Sequence, residues 1–359
     1  MSDSAAAYFH KHYAPARAQF LASCRAMGAR TTSHLVPNVA GPHGEQLAVD
    51  VARIGEEKAR TAVVIISGTH GIEGYCGSAI QSAWLDAGPS LPADCSVILV
   101  HALNPYGMAW WSRADQDNID LNRNFLPFPA RVANSGYRQL HSTVCPDNWS
   151  EQTRGAIKAI LAKFEAEHGK QALTDALIAS QSDFPDGMNY CGTRASWSRG
   201  VLQACLERLH EEQPSYVALI DLHTGVAPVG EVALLHFPTD EDDAAQAQRV
   251  WRLPHPWCRL GARGLANYNG LLVQDVRTRF GPTWRCAVAE IGTVDRDRIR
   301  EALRLDRFLR FEGRGEMARC RDDLLEVFCP AGADWQQKAI ARGCTLIGPA
   351  IEMANASPG

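Results

Sequence analysis

The sequence predicts an α/β protein in three layers: a mixed, mainly parallel sheet with helices on both faces. Two observations carry this reading. Short apolar runs such as Val63-Val64-Ile65-Ile66 and Val217-Ala218-Leu219-Ile220 lack the in-and-out alternation of a half-exposed strand. They fit strands buried on both faces. These runs also alternate with stretches of helical periodicity, the pattern of a sheet built from crossover connections. A third observation links fold to chemistry. β-rich runs stop at His70 and Glu73 (Gly68-Thr69-His70-Gly71-Ile72-Glu73-Gly74), at His223 (Asp221-Leu222-His223-Thr224-Gly225) and at Glu290 (Glu290-Ile291-Gly292). In open α/β sheets, sites gather at the carboxyl ends of strands.

The elements follow in order. Residues 5–26 read as a helix, with Phe9, Tyr13, Phe20 and Leu21 near helical spacing. Residues 33–36 and 46–51 read as two short strands around the turn Gly41-Pro42-His43-Gly44. The core pattern then begins with strand 61–67, helix 77–87 and strand 96–101, which ends at the turn sequence Asn104-Pro105-Tyr106-Gly107. Residues 108–150 look irregular and polar, with Pro and Trp, and a stretch of that length in a compact domain is usually functional. A helix over 152–179 is interrupted near Gly169, and 182–198 is again irregular. Helix 199–212 leads into strand 216–222, and strand-like pieces recur at 232–237, 271–276 and 286–291. Residues 297–328 are mainly helical with a break at 313–315, and the tail from Pro349, ending in 349–359, is expected to fray. The organisation is one domain over 1–359: an appended segment at 1–60 and a catalytic core at 61–330.

Composition narrows the classes of function. A hydrophobic content of 46% and a charged content of 21% are those of a soluble globular protein. The net charge is −4 with no basic block or stripe, which argues against nucleic-acid or membrane-surface partners. The eleven cysteines are irregularly spaced with no Cys-x-x-Cys pair, so reduced, mostly buried thiols are expected rather than a disulfide framework. Met1 to Tyr8 has neither a basic start nor an apolar stretch, and a cytoplasmic location is expected. Oligomeric state is not specified.

Each candidate residue has a plain alternative. His70 and Glu73, two residues apart, can reach one ion from a single loop, or Glu73 can simply favour the start of the next helix. His223 alone is as readily a core histidine as a ligand. Glu290 at the end of a buried strand is expensive unless paired or coordinated, and an arginine can be that pair. Arg113 and Asp120-Leu121-Asn122-Arg123 bring carboxylate-binding forks into one loop, or make a solvated surface loop. Together they point one way. Two His and one Glu with an open position make a catalytic zinc site. A second carboxylate serves as general base. Residues 185–198, rich in turn formers and aromatics, read as a substrate-facing or a structural loop. No Gly-x-Ser-x-Gly elbow, phosphate loop or dinucleotide fingerprint occurs.

The ordered set spans residues 61 to about 295. Its members are His70-x-x-Glu73, Asn104-Pro105-Tyr106-Gly107, Arg113, Asp120-Leu121-Asn122-Arg123, His223 and Glu290. It resembles the M14-type zinc carboxypeptidases and, in its Gly-Thr-His-Gly and Asp-Leu-Asn-Arg wording, the aspartoacylase and succinylglutamate desuccinylase branch. Pro185-Asp186-Gly187-Met188-Asn189-Tyr190-Cys191-Gly192, the N-terminal segment and Ala52-Arg53-Ile54-Gly55 resemble a bacterial subgroup, the DUF2817 proteins.

The resemblance implies an eight-stranded sheet and one Zn²⁺ per chain held by His70, Glu73 and His223. Glu290 would be the general base and Arg113 the carbonyl polariser. Asn122 and Arg123 would clamp a substrate carboxylate, and Asp120 would orient His70. The family's mobile tyrosine has no secure counterpart; Tyr268 lies in a plausible region but reads better as a packing aromatic. The expected activity is hydrolysis of an amide next to a free carboxylate, with a peptide C-terminus as the leading substrate and an N-acyl amino acid as the second. A dead carboxylate-binding relative is disfavoured, since ligands, base and electrophile are all present.

Overall fold

The computed structural model describes residues 3–237 and 266–355. Seven strands form one sheet among these residues: β1 Arg30–Ala40, β2 Gln46–Ile54, β3 Thr61–Ser67, β4 Cys95–His101, β5 Tyr216–Gly225, β6 Val232–Leu235 and β7 Trp284–Gly292. The order across the sheet is β1-β2-β4-β3-β5-β7-β6. The strands β4, β3, β5 and β7 run parallel at the centre. The outer pairings β1–β2, β2–β4 and β7–β6 are antiparallel. The sheet is therefore mixed, with seven described strands where eight were expected, and its parallel part is confined to the middle.

Every residue of β3, β4 and β7 is buried, because helices cover both faces. Val63 and Ile65 of β3 pack with Ile220 of β5 toward helices Tyr13–Ala26, Gly74–Asp86 and Ala333–Asn355. Val64 and Ile66 point the other way, toward helices Trp197–Glu211 and Leu272–Phe280. Each Val, Ile or Leu taken fully out of water contributes about 1.5–3 kcal/mol. The central strands are thus firmly held by burial, and their carboxyl ends carry the candidate residues.

Several elements differ from the sequence reading. The strand expected at 271–276 is part of helix Leu272–Phe280. Its β-branched Val273 and Val276 suggested a strand, but Leu272, Val276 and Phe280 recur at helical spacing and Leu272, Val273 and Val276 are buried. The single helix expected over 5–26 is a short turn, Asp3–Ala6, followed by helix Tyr13–Ala26. The tail does not fray at Pro349: helix Ala333–Asn355 runs through it, with Ile347, Ala350 and Ile351 buried against the sheet. That burial outweighs the backbone hydrogen bond that proline removes. The appended segment at 1–60 supplies β1 and β2, which join the main sheet. The break in the 152–179 helix falls at Gly169, whose φ is +87°.

The ten described cysteines are all free thiols, and Cys258 lies outside the described residues. Among the described residues no helix is long and apolar enough to cross a membrane.

Candidate metal centre and active site

Because β3, β5 and β7 are parallel neighbours, their carboxyl ends open on one edge of the sheet. His223 of β5 sits directly opposite Glu290 of β7. β3 ends one register step below, with Ser67 opposite Leu222, and the chain then turns through Gly68-Thr69 to His70. That turn is held from outside. Gly71 N and Ile72 N donate to the carbonyls of Arg113 and Ser112 at 3.2 and 3.0 Å. Gly71 must be glycine, since a Cβ there would lie 2.0 Å from the backbone of Gly107. Asn104 completes the brace: its Oδ1 accepts from Gly107 N at 2.8 Å and its Nδ2 donates to Arg113 O at 3.1 Å. The Asn-Pro-Tyr-Gly turn thus fixes the His-x-x-Glu loop against the arginine loop.

Three side chains converge on one point. His70 Nδ1 and His223 Nδ1 lie 3.0 Å apart, with the Glu73 carboxylate 2.9 Å from the first and 3.1 Å from the second. Glu73 precedes helix Gly74–Asp86 but makes no capping hydrogen bond there, so its carboxylate is committed to the histidines. Each imidazole is held from behind by a second carboxylate. His70 Nε2 lies 3.1 Å from Asp120 Oδ1, and His223 Nε2 lies 2.8 Å from Asp221 Oδ2. A ring that donates its Nε2–H to a carboxylate presents a bare lone pair on Nδ1. Two such lone pairs and a carboxylate, buried together, favour a cation among them; Arg113 supplies positive charge from one side only, at His70 and Glu73. Two imidazole nitrogens and one carboxylate are also the donor set of a catalytic zinc site, and the carboxylates behind the rings are its usual outer support. The residues present therefore fit the ion.

Asp221 was not singled out by the sequence reading. The signal was available: Asp221 and His223 are two apart on a strand, hence on one face. Thr69 Oγ1 in turn donates to Asp221 Oδ1 at 2.7 Å. Asp221→Asn should weaken zinc binding by about 10–100-fold, as losses of such supporting groups do. Competition against a chelator measures this, and unchanged affinity would remove Asp221 from the site.

Arg113 lies across the same cluster. Its Nη1 is 3.1 Å from both His70 Nδ1 and Glu73 Oε1, and its Nε donates to Asp120 Oδ2 at 3.0 Å. Burial would lower the Arg113 pKa, but Asp120 and Glu73 raise it above its ordinary value. Burial likewise works against the Asp120 carboxylate, and Arg113 and His70 overcome it, holding the group well below the usual range. For Glu290, burial pushes the pKa up, His223 opposes and Glu73 adds to the rise. Its Oε2 accepts from Val226 N at 3.3 Å. A buried carboxylate with a raised pKa beside a metal-ligand set is the setting of a proton-transfer group.

Asn122 and Arg123 sit in a short 3-10 turn, Leu121–Arg123, capped by Asp120. Asn122 Oδ1 accepts from Leu272 N at 3.0 Å. Arg123 donates to the carbonyls of Asn122 and Ile178, which takes three of its five N–H groups. Its guanidinium lies 4.9 Å over the Tyr268 ring. Tyr268 packs on Phe237 and also lines the cavity in front of the His70–Glu73–His223 cluster. From the 185–198 loop, Met188 and Asn189 reach that cavity, while Asn124 ties the loop down through the carbonyls of Cys191 and Arg194. The cavity, about 190 Å³ in volume, is lined by His70, Glu73, Arg113, Asn122, Arg123 and Glu290 among others.

The arginine loop is stiffened by Asp115, whose Oδ1 accepts from Asp117 N and Ile119 N at 2.9 Å each. Burial raises the Asp115 pKa from 3.8 to about 7. The folded state therefore holds a proton that the unfolded chain releases near pH 4, and stability falls as pH rises from about 4 to about 7. Asp115→Asn should remove about 2–3 kcal/mol of the loss between pH 5 and pH 8. Urea titrations of both proteins at the two pH values measure it, and identical pH dependence would contradict it.

No curated protein matches the chain. Among solved structures, a carboxypeptidase A from Helicoverpa armigera aligns at 14% identity and TM-score 0.47, over 88% of this chain and 74% of its own. A protein assigned to the succinylglutamate desuccinylase/aspartoacylase family, from Shewanella amazonensis SB2B, aligns at 18% identity and TM-score 0.38, over 81% and 73%. Both scores are below 0.5, so the chemistry rests on the site itself. The sequence comparison is firmer: the family described as "Protein of unknown function (DUF2817)" matches residues 9–342. That match takes in the whole constellation from His70 to Glu290, and the chain belongs to the DUF2817 family.

Proposed function

We propose that the protein is a zinc-dependent hydrolase of an amide bond next to a free carboxylate, acting as a metallocarboxypeptidase. The observation that carries this is the facing pair of His70 and His223 Nδ1 atoms, 3.0 Å apart, with Glu73 beside both and a carboxylate behind each ring. His70, Glu73 and His223 would hold one Zn²⁺. The ion would supply Lewis acidity, lowering the pKa of a water from 15.7 to about 7.

The chain's own groups do the rest. Glu290 takes a proton from the attacking water and gives it to the amide nitrogen as the carbon–nitrogen bond breaks. One water is consumed, and an acid and an amine leave. Arg113 keeps Nε on Asp120 and Nη1 on Glu73, while His70 Nδ1, which Nη1 also approaches, would turn its one lone pair to the ion; Nη2 donates to the oxygen that becomes negative on the scissile carbonyl. The two remaining donors of Arg123, with Asn122, bind the substrate carboxylate in its ground state.

A second reading, an N-acyl amino acid deacylase, draws on the cavity size. About 190 Å³ is below the roughly 300–1,000 Å³ usual for ligand pockets and suits a small substrate. Both readings need a free carboxylate. The test is a screen of C-terminal dipeptides and N-acyl amino acids, with and without added zinc, each as free acid and as amide. Zinc-dependent cleavage of free acids only is expected. Equal cleavage of acid and amide would remove the carboxylate clamp and point to some other zinc amidase.

A further inference from the structure

Helix Arg296–Phe311 passes along the cavity and places Arg296, Arg300 and Arg304 at its wall, at positions i, i+4 and i+8. That spacing puts the three side chains on one helix face. With Arg113 and Arg123 the lining holds, among the described residues, five guanidinium groups against two carboxylates, Glu73 and Glu290. Arg113 is spent on Glu73 and Asp120. The excess lies on the helix.

Arg304 is the informative member. It is 6% exposed, yet no hydrogen bond or ion pair joins it to any described residue, and its Nε is sealed from solvent without a partner. The acidic groups nearest it on the helix are engaged elsewhere. Glu301 holds Arg154 and Lys158 at 2.9 and 3.6 Å, and Asp297 holds Arg300 at 3.1 Å. Burial lowers the Arg304 pKa, and Glu301 and Asp297, beyond ion-pair distance, offset part of that. A buried cation with no direct partner is costly to a fold, and natural structures almost always pair it. Such a group at a cavity wall marks a place where an anion arrives from outside.

We infer that the substrate carries a second carboxylate, bound by Arg304 and assisted by Arg300, beyond the one next to the scissile amide. The substrate class is dicarboxylate: a peptide with an acidic side chain, or an amino acid acylated by a dicarboxylic acid. The inference rests on the hydrolase reading for the word substrate, whereas the anion site itself is testable without hydrolysis.

The test uses the full chain in its metal-free form. Calorimetry should show glutarate binding roughly tenfold more tightly than butyrate, which has one carboxylate fewer. In Arg304→Gln the preference should shrink to about twofold or less, while the ligand-free variant, relieved of a buried charge, melts roughly 1–3 °C higher. Arg300→Gln, at a more exposed position, serves as a second variant and should lose part of the preference. A glutarate preference that survives Arg304→Gln, or that the wild type lacks, overturns the inference.

Zinc-loaded enzyme is then offered N-succinyl against N-acetyl amino acids, and glutamyl against alanyl dipeptides. Preference for the acidic member of either series supports the second carboxylate and identifies its source; hydrolysis without preference in both series overturns it. No hydrolysis at all, with the glutarate preference intact, overturns the hydrolase reading and leaves the anion site standing.

Discussion

Glu290→Gln should keep zinc bound and lower kcat by about 10²–10⁴-fold, the usual contribution of general acid–base catalysis. Glutamine preserves the shape of a side chain that is 9% exposed and can still accept from Val226 N. What it cannot do is carry the proton from water to the leaving nitrogen. The donor atoms proposed for the metal belong to His70, Glu73 and His223 and are untouched, so zinc content separates the two roles. Stopped assays with matched metal analysis measure both. Turnover near wild type would end the case for Glu290 as the base.

His223→Ala should abolish hydrolysis and weaken zinc binding by more than the ~10–100-fold expected for a supporting group. It removes one of three donors and leaves Asp221 and Glu73 facing each other with no imidazole between them. Asp221 keeps Thr69 and Glu73 keeps Arg113, but two buried carboxylates that lose the imidazole between them are destabilising, so the variant should also melt lower. His223→Asn, which restores a polar filler, keeps the test open if the alanine variant fails to fold. Stoichiometric zinc in a folded His223 variant would place the metal elsewhere.

Much of this arrangement was legible in the sequence because its parts are local. A strand buried on both faces announces itself as an unbroken apolar run, and β3 and β5 were read that way. The residues that follow such strands share an edge by topology alone, which is why His70, Glu73, His223 and Glu290 could be grouped without coordinates. What escaped depends on information the pattern does not hold. Val273 and Val276 suggested a strand, and only burial against β7 shows that their helical spacing decides. Pro349 suggested an end, and only the packing of Ile347 and Ile351 keeps the helix going. The arginine face of helix Arg296–Phe311 was present as a four-residue period. Its meaning comes from the missing partner of Arg304, a property of three-dimensional neighbours. Asp221 lies two residues before His223 on the same strand face, but that spacing assigns it no role; its support of the ring shows only in the 2.8 Å contact.

The pairing of His223 with Glu290 across β5 and β7 has a consequence for how the chain avoids folding wrongly. A strand that is apolar on one face is aligned by its own pattern, since a slip by one residue turns that face to water. β7 has no such safeguard: Cys286, Ala287, Val288 and Ala289 are all buried, and either face would suit the core. Alignment must come from the exceptions. In the native position Glu290 accepts from Val226 N. Gly292 carries no side chain where a Cβ would lie 2.0 Å from Pro228 O, so a slip that brought Ile291 or Thr293 there would collide with the backbone. Its carbonyl also receives the Trp335 indole N–H at 2.7 Å. A misaligned copy would keep its helices, strands and apolar interior yet point its carboxylate away from the histidines. A carboxylate of the candidate site therefore also helps proofread the sheet, and under the proposed function the active fraction of a preparation should count correctly aligned molecules better than circular dichroism does.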